Sequence, residues 1–69
     1  GKDTFTKAEA DEIRALIRRR CQASRAEQKK IRDRMREIGF YGMADWGIFD
    51  CQPEDFERLI SQELIKIKG

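Results

Sequence analysis

Two copies of one helix-start signature constrain the first half of the chain. They are TKAE at residues 6–9 and SRAE at residues 24–27, and each sets a hydroxyl side chain three residues before a glutamate. In such a capping box the hydroxyl accepts the third amide of a helix, and the glutamate accepts the amide of the capping residue. The sequence therefore predicts that one helix begins after Thr6 and that a second begins after Ser24.

Apolar residues at helical spacing define the inner faces of these two helices. The first helix is predicted over about residues 7–22, and its stripe consists of Ala10, Ile13, Leu16, Ile17 and Cys21. The stripe of the second helix consists of Ile31, Met35 and Ile38. Gly39 then predicts the end of this helix, because glycine readily adopts the left-handed backbone conformation that terminates helices. Because the connection around residues 23–24 is so short, we expect an antiparallel or steeply crossed helical hairpin.

The second half of the chain has a different composition. Residues 40–52 contain four aromatic side chains, no lysine and no arginine, and we expect a loop with a short extended segment at residues 46–49. Pro53 and the acids that follow it predict a third helix from Pro53 to about residue 62. Alternating isoleucine and lysine at residues 64–68 predict a half-buried strand, which we expect to pair with residues 46–49.

These elements predict one small domain over residues 1–69 of the mainly α (small α+β) class. It consists of an N-terminal helical hairpin, a third helix and a minor two-stranded β element near residues 46–49 and 64–68. A domain of this size buries only about 60% of its unfolded surface, so its core is marginal and a homodimer stays open as an alternative. Since the chain starts at Gly1, it is interpreted as carrying a cloning remnant or as a piece of a longer chain.

Positive charge is concentrated in the first two helices. Residues 1–38 carry twelve lysines and arginines against seven acids, whereas residues 39–69 carry three against six. Four cations of the second helix recur at i, i+4, i+7 and i+11, about 100–160° from its apolar face. We name these four residues the basic row: Arg25, Lys29, Arg32 and Arg36. At 1.5 Å per residue the basic row spans roughly 16 Å, enough to follow several nucleic-acid phosphates.

The basic row, with Arg18 and Arg19 nearby on the first helix, indicates a non-catalytic module that binds the phosphates of DNA or RNA. Two other interpretations stay open. In the first, the basic row binds an acidic protein. In the second, the row is a solvated helix face that is stabilised by the ion pairs Lys29–Asp33 and Arg34–Glu37. No helix-turn-helix spacing, zinc-finger ligand set or RNP-like strand accompanies the row, so weak or shape-based specificity is expected.

A rival hypothesis assigns function to the aromatic segment at residues 40–49. Tyr41 and Trp46 lie among glycines, and in this hypothesis they contact another protein or a second copy of the chain. The competing role for both side chains is core packing, as expected for Phe49 and Phe56. Exposure of the two rings distinguishes these alternatives.

Other function classes receive no support from the sequence. There is no histidine, no nucleophile elbow and no Gly-rich phosphate loop, so we expect neither an enzyme nor a cofactor. Cys21 and Cys51 are expected to be reduced thiols, and no metal site is expected. No apolar run approaches the roughly 20 residues of a membrane span, and no charged start leads into a secretory segment. The expected location is therefore the cytoplasm.

Overall fold

Three helices and two short strands form the part of the chain that the computed structural model describes, which is residues 2–42, 46–47 and 52–69. The elements are β1 (Thr4–Thr6), α1 (Lys7–Arg20), α2 (Arg25–Ile38), α3 (Pro53–Ser61) and β2 (Lys66–Lys68). Helices account for 64% of the described residues, so the predicted mainly α fold with a minor β element is confirmed.

Both predicted helix starts in the first half are confirmed by their hydrogen bonds. The Glu9 amide donates to Oγ1 of Thr6 at 3.1 Å, and the Thr6 amide donates to Oε1 of Glu9 at 2.9 Å. At the start of α2 the Glu27 amide donates to Oγ of Ser24 at 3.4 Å. Each helix therefore has a side-chain acceptor for an amide that lacks a partner within the helix.

The helix ends also follow local rules, with one correction. Gly39 ends α2 in the left-handed conformation, with φ at 113°. The first helix ends at Arg20, two residues earlier than predicted, and Cys21 is its exposed C-cap rather than part of the apolar stripe. In α3, Pro53 occupies the first turn, and the carboxylate of Asp55 accepts the Gln52 amide at 2.8 Å.

The contacts between α1 and α2 identify an antiparallel hairpin. Arg34, near the end of α2, binds Glu12 in the first half of α1. Near the start of α2, Nε2 of Gln28 donates to the carbonyl of Arg20 at 3.3 Å and to that of Ala23 at 3.2 Å. The predicted hairpin is therefore confirmed, and the Gln28 side chain stabilises the turn between its two helices.

The hydrophobic core lies around α1, which packs against α2, α3 and both strands. Phe40 is buried where the elements meet, and its ring makes edge contacts with Phe5 and Phe56 at centroid distances of 6.3 and 5.5 Å. The buried core residues are Phe5, Ala10, Ile13, Leu16, Ile17, Ile31, Met35, Ile38, Phe40, Phe56, Leu59 and Ile65. The apolar stripes predicted for α1 and α2 are thus buried, except at Cys21.

The predicted C-terminal strand is present, but its predicted partner is wrong. β2 pairs in parallel with β1, with Phe5 opposite Ile67, rather than with residues 46–49. Trp46 is helical in backbone conformation, and residues 48–49 lie outside the described residues. Thr6 provides the physical reason, because its capping role holds it extended at φ −73° and ψ 163°, and the residues before it continue as a strand.

Candidate nucleic-acid interface

The structure places the four side chains of the basic row on the surface. Arg25, Lys29, Arg32 and Arg36 are all exposed, and none has an ion-pair partner among the described residues. They belong to one uninterrupted helix, α2, whose apolar residues Ile31, Met35 and Ile38 face the core. The row therefore keeps the spacing predicted for it, and its four charges are directed into solvent.

One ion pair shows which flank of α2 faces α1. Nε of Arg34 lies 2.6 Å from Oε2 of Glu12, and Nη2 of Arg34 lies 3.1 Å from Oε1 of Glu12. Counted from Ile31 at about 100° per residue, Arg34 lies on one side of the buried face and the basic row lies on the other. The row is therefore on the flank of α2 that faces away from α1.

Arg34 differs electrostatically from the cations of the basic row. Arg34 also donates to Glu37 at 3.2 Å, so two carboxylates surround its guanidinium. The hydrogen bond from Arg34 holds the pKa of Glu12 below its ordinary value of 4.5, and the same bond raises the pKa of Arg34. Arg34 is therefore a structural cation that is already neutralised, in contrast to the basic row.

The ion pairs predicted for a solvated helix face are present only in part. The Arg34–Glu37 pair is confirmed, whereas no Lys29–Asp33 pair occurs among the described residues. Lys29 is exposed and lies in the row, so its ammonium group is accessible to an external anion. Ion pairs to Glu12 and Glu37 thus neutralise Arg34 on the flank that faces α1, whereas Lys30 on that flank and the four residues of the row have no ion-pair partner among the described residues.

Arg18 and Arg19 do not join the basic row. Arg19 lines the groove between α1 and α2 together with Glu27, Lys30 and Arg34, which places it on the opposite flank of α2. Arg18 follows Arg14 by about one helical turn, on the side of α1 that faces α3. Both side chains are exposed. The six cations singled out in the sequence are therefore one group of four and two separate residues.

Arg14 has a structural role on that side of α1. Its Nε donates to Oε2 of Glu57 in α3 at 2.7 Å, and its guanidinium lies 5.7 Å from the ring centroid of Phe56. The hydrogen bond that Arg14 donates to Glu57 raises the pKa of Arg14. Arg14 therefore joins α1 to α3 and is not available to a ligand.

The two aromatic residues of the rival hypothesis differ from each other. Tyr41 is 37% exposed, whereas Trp46 is partly buried and packs against the hydrophobic core. The indole Nε1 of Trp46 is buried and has no hydrogen-bond acceptor among the described residues. Core packing thus accounts for Trp46, and Tyr41 is the more accessible ring of the two.

The described residues offer little support for a metal site, a reactive thiol or a membrane-spanning helix. Within them, no three histidine, cysteine or acidic side chains come together as metal ligands. Cys21 is a free thiol whose Sγ lies 3.4 Å from Oε1 of Gln52, and Cys51 lies outside the described residues. None of the described helices is long and apolar enough to cross a membrane.

Comparison of the chain with protein-family models, with curated proteins and with solved structures found no match.

Proposed function

We propose that this domain is a non-catalytic binding module that contacts nucleic-acid phosphates through the basic row, and that it acts in the cytoplasm. The observation that carries the proposal is the separation of the cations on α2. Arg34 is neutralised by Glu12 and Glu37, whereas the four cations of the basic row are exposed and have no ion-pair partner among the described residues.

The row combines features that favour a phosphate strand over isolated anions. Arg25 and Lys29 are i, i+4 neighbours, as are Arg32 and Arg36, so each pair of like charges repels within the free helix. A strand of phosphates replaces that repulsion by charge-assisted hydrogen bonds, and arginine forms them with two donors at once. Binding also releases the counterions condensed on the nucleic acid, which is the main driving force at low salt.

The expected strength follows from four phosphate contacts. The logarithm of the binding constant changes with the logarithm of salt concentration by about −0.9 per phosphate contact. For four contacts, the electrostatic contribution to binding alone corresponds to a Kd on the order of 20 μM at about 50 mM salt. This affinity is modest and within reach of fluorescence anisotropy with a labelled duplex.

The test compares two variants that lose the same charge. Arg32→Gln/Arg36→Gln removes half of the basic row, and Lys66→Gln/Lys68→Gln removes two exposed cations of β2. We expect the first variant to bind the duplex about 200-fold more weakly than wild type at about 50 mM salt, because two phosphate contacts are lost. The second variant should remain within about threefold of wild type, since it changes only the net charge.

Two outcomes would overturn the proposal. One is the absence of duplex binding by wild type at about 50 mM salt, and the other is equal weakening by the two variants. Binding of poly-glutamate as tight as that of duplex DNA, with the same dependence on Arg32 and Arg36, would assign the row to an acidic protein instead.

A further inference from the structure

The basic row occupies only half of the solvent-facing surface of α2. The exposed residues on the other half are Ala26, Glu27, Lys30, Asp33, Arg34 and Glu37. Relative to Ile31, ideal helix geometry places the row at about +100° to +160°, Ala26, Asp33 and Glu37 at about −120° to −160°, and Lys30 at about −100°. Apart from Lys30, the surface of α2 therefore changes from cationic to acidic along a line parallel to the helix axis.

The acidic half also adjoins α1. Glu37 accepts a hydrogen bond from Arg34, and Arg34 binds Glu12 of α1. The guanidinium group of Arg34 is thus bound by two carboxylates, and α1 lies on its other side. A nucleic acid that approaches α2 from this side meets Asp33, Glu37 and one lysine, Lys30, and finds Arg34 already neutralised.

This division decides between two ways of docking a helix on a duplex. The major groove is about 12 Å wide, and a helix with its side chains is about 10–12 Å across, so a helix in the groove has a phosphate strand along each flank. One flank of α2 would place the basic row against phosphates. The other would place Asp33 and Glu37 against phosphates, and Lys30 offsets only one of these two charges, so the net interaction on this flank is repulsive.

Amide side chains that could read adenine are scarce beside the row. The chain contains no asparagine, and Nε2 of Gln28 already donates to the carbonyls of Arg20 and Ala23. Gln22 lies in the turn between α1 and α2 rather than on the row. Bidentate recognition of adenine, which requires a free amide side chain, therefore has no candidate on this face, and the arginines of the row can read guanine only if α2 enters the major groove.

Resting on the proposed phosphate binding, we infer that α2 lies along a single phosphate strand, outside the groove, with Asp33 and Glu37 turned away from the nucleic acid. The partner is then the sugar–phosphate backbone of any strand, whether paired or unpaired. Base sequence does not contribute to the affinity.

The first test measures wild-type binding to two duplexes of unrelated sequence and to a single strand of equal length. We expect the duplexes to bind within about threefold of each other, since one lost base contact in a base-reading protein weakens binding roughly fivefold or more. The single strand should also bind, with a logarithmic salt slope of about −2.8 against about −3.6 for duplex DNA. A preference of tenfold or more for one duplex, or binding of duplex alone, would overturn docking on a single strand.

The second test neutralises the acidic half with Asp33→Asn/Glu37→Gln. If this half faces away from the nucleic acid, affinity rises slightly and equally for duplex and single strand, so that their ratio stays within about twofold. If α2 lies in the groove, only duplex affinity rises, by tenfold or more, and the inference is wrong. Circular dichroism of the variant verifies that α2 is intact. Absence of binding to every nucleic acid overturns phosphate binding itself, which separates the two failures.

Discussion

Arg34 on α2 holds the carboxylate of Glu12 on α1 with two hydrogen bonds, Nε to Oε2 at 2.6 Å and Nη2 to Oε1 at 3.1 Å. The pair joins residues 22 positions apart and lies at the surface between the two helices. The pair marks the flank of α2 that faces α1, while burial of Ile31, Met35 and Ile38 in the core sets the orientation of the helix. The basic row faces solvent as a consequence.

Glu12→Gln should destabilise the fold at neutral pH and have little effect in acid. The Arg34 hydrogen bond lowers the pKa of Glu12 in the folded state, so the pair stabilises the fold above the unfolded pKa. That stabilisation is lost as the pH falls through the folded pKa. Urea unfolding should therefore show that the difference in unfolding free energy between wild type and variant is smaller at about pH 3 than at pH 7. Glu63→Gln is the control, and a variant difference that does not change with pH would contradict the prediction.

Phe5→Ala should be among the most destabilising single substitutions in the domain. Phe5 is 1% exposed, packs on Phe40 and lies in β1 opposite Ile67. Removing a buried phenylalanine costs about 3–5 kcal/mol, and thermal unfolding should report the loss. Phe5→Leu keeps part of the buried surface and should lose less, whereas Tyr41→Ala should lose least. A melting temperature of Phe5→Ala equal to that of Tyr41→Ala would show that β1 does not contribute to the core.

Gly39→Ala and Glu63→Gly should change stability in opposite directions. Gly39 has φ at 113°, and a Cβ added there would lie 2.8 Å from Cγ of Lys2, so alanine is strained by about 1–3 kcal/mol. Glu63 has φ at 60° without being glycine, and replacement by glycine relieves that strain. Thermal unfolding should place the melting temperature of Gly39→Ala below that of wild type and that of Glu63→Gly above it. Shifts of the same sign would contradict the assigned backbone conformations.

Arg18→Gln/Arg19→Gln should weaken nucleic-acid binding far less than Arg32→Gln/Arg36→Gln does. The two variants remove equal charge, but Arg19 lies in the groove between α1 and α2, on the flank opposite the row. We expect the first variant to bind within about threefold of wild type at about 50 mM salt. An equal loss in both variants, measured by fluorescence anisotropy, would mean that the interface extends onto α1.

Local signals predicted the helices well. The hydroxyl caps of α1 and α2, Gly39 at the end of α2 and Pro53 in the first turn of α3 each act within one helical turn of their own position. The sequence contains the information for such contacts within a few residues. The core positions on α1 and α2 followed from the same helical spacing, whereas the buried Phe5, Phe40 and Ile65 lie outside the helices.

Non-local pairing was not predictable in the same way. The partner of β2 is β1, about 60 residues away, and the rule that nearby strands pair favoured residues 46–49 instead. One overlooked signal pointed to β1. Phe5 precedes the Thr6 cap and Ala10 lies at the fourth helical position, the arrangement of a hydrophobic staple, and both side chains are buried.

The candidate site shows the same contrast. The basic row depends only on the geometry of one helix, so its spacing was predictable from the sequence. The separation of Arg18 and Arg19 from the row depends on how α1 packs against α2, as does the neutralisation of Arg34 by Glu12. Glu12 carried no sequence signal of this role beyond its position on the flank of the α1 stripe.

The salt dependence of duplex binding tests the central claim most directly, because it counts the phosphates that the protein contacts. The logarithm of the binding constant should fall with the logarithm of salt concentration at a slope of about −3.6 for wild type and about −1.8 for Arg32→Gln/Arg36→Gln. Wild-type affinity should thus drop about 150-fold between about 50 and 200 mM salt. A wild-type slope near zero, or an unchanged slope in the variant, would contradict phosphate binding by the basic row.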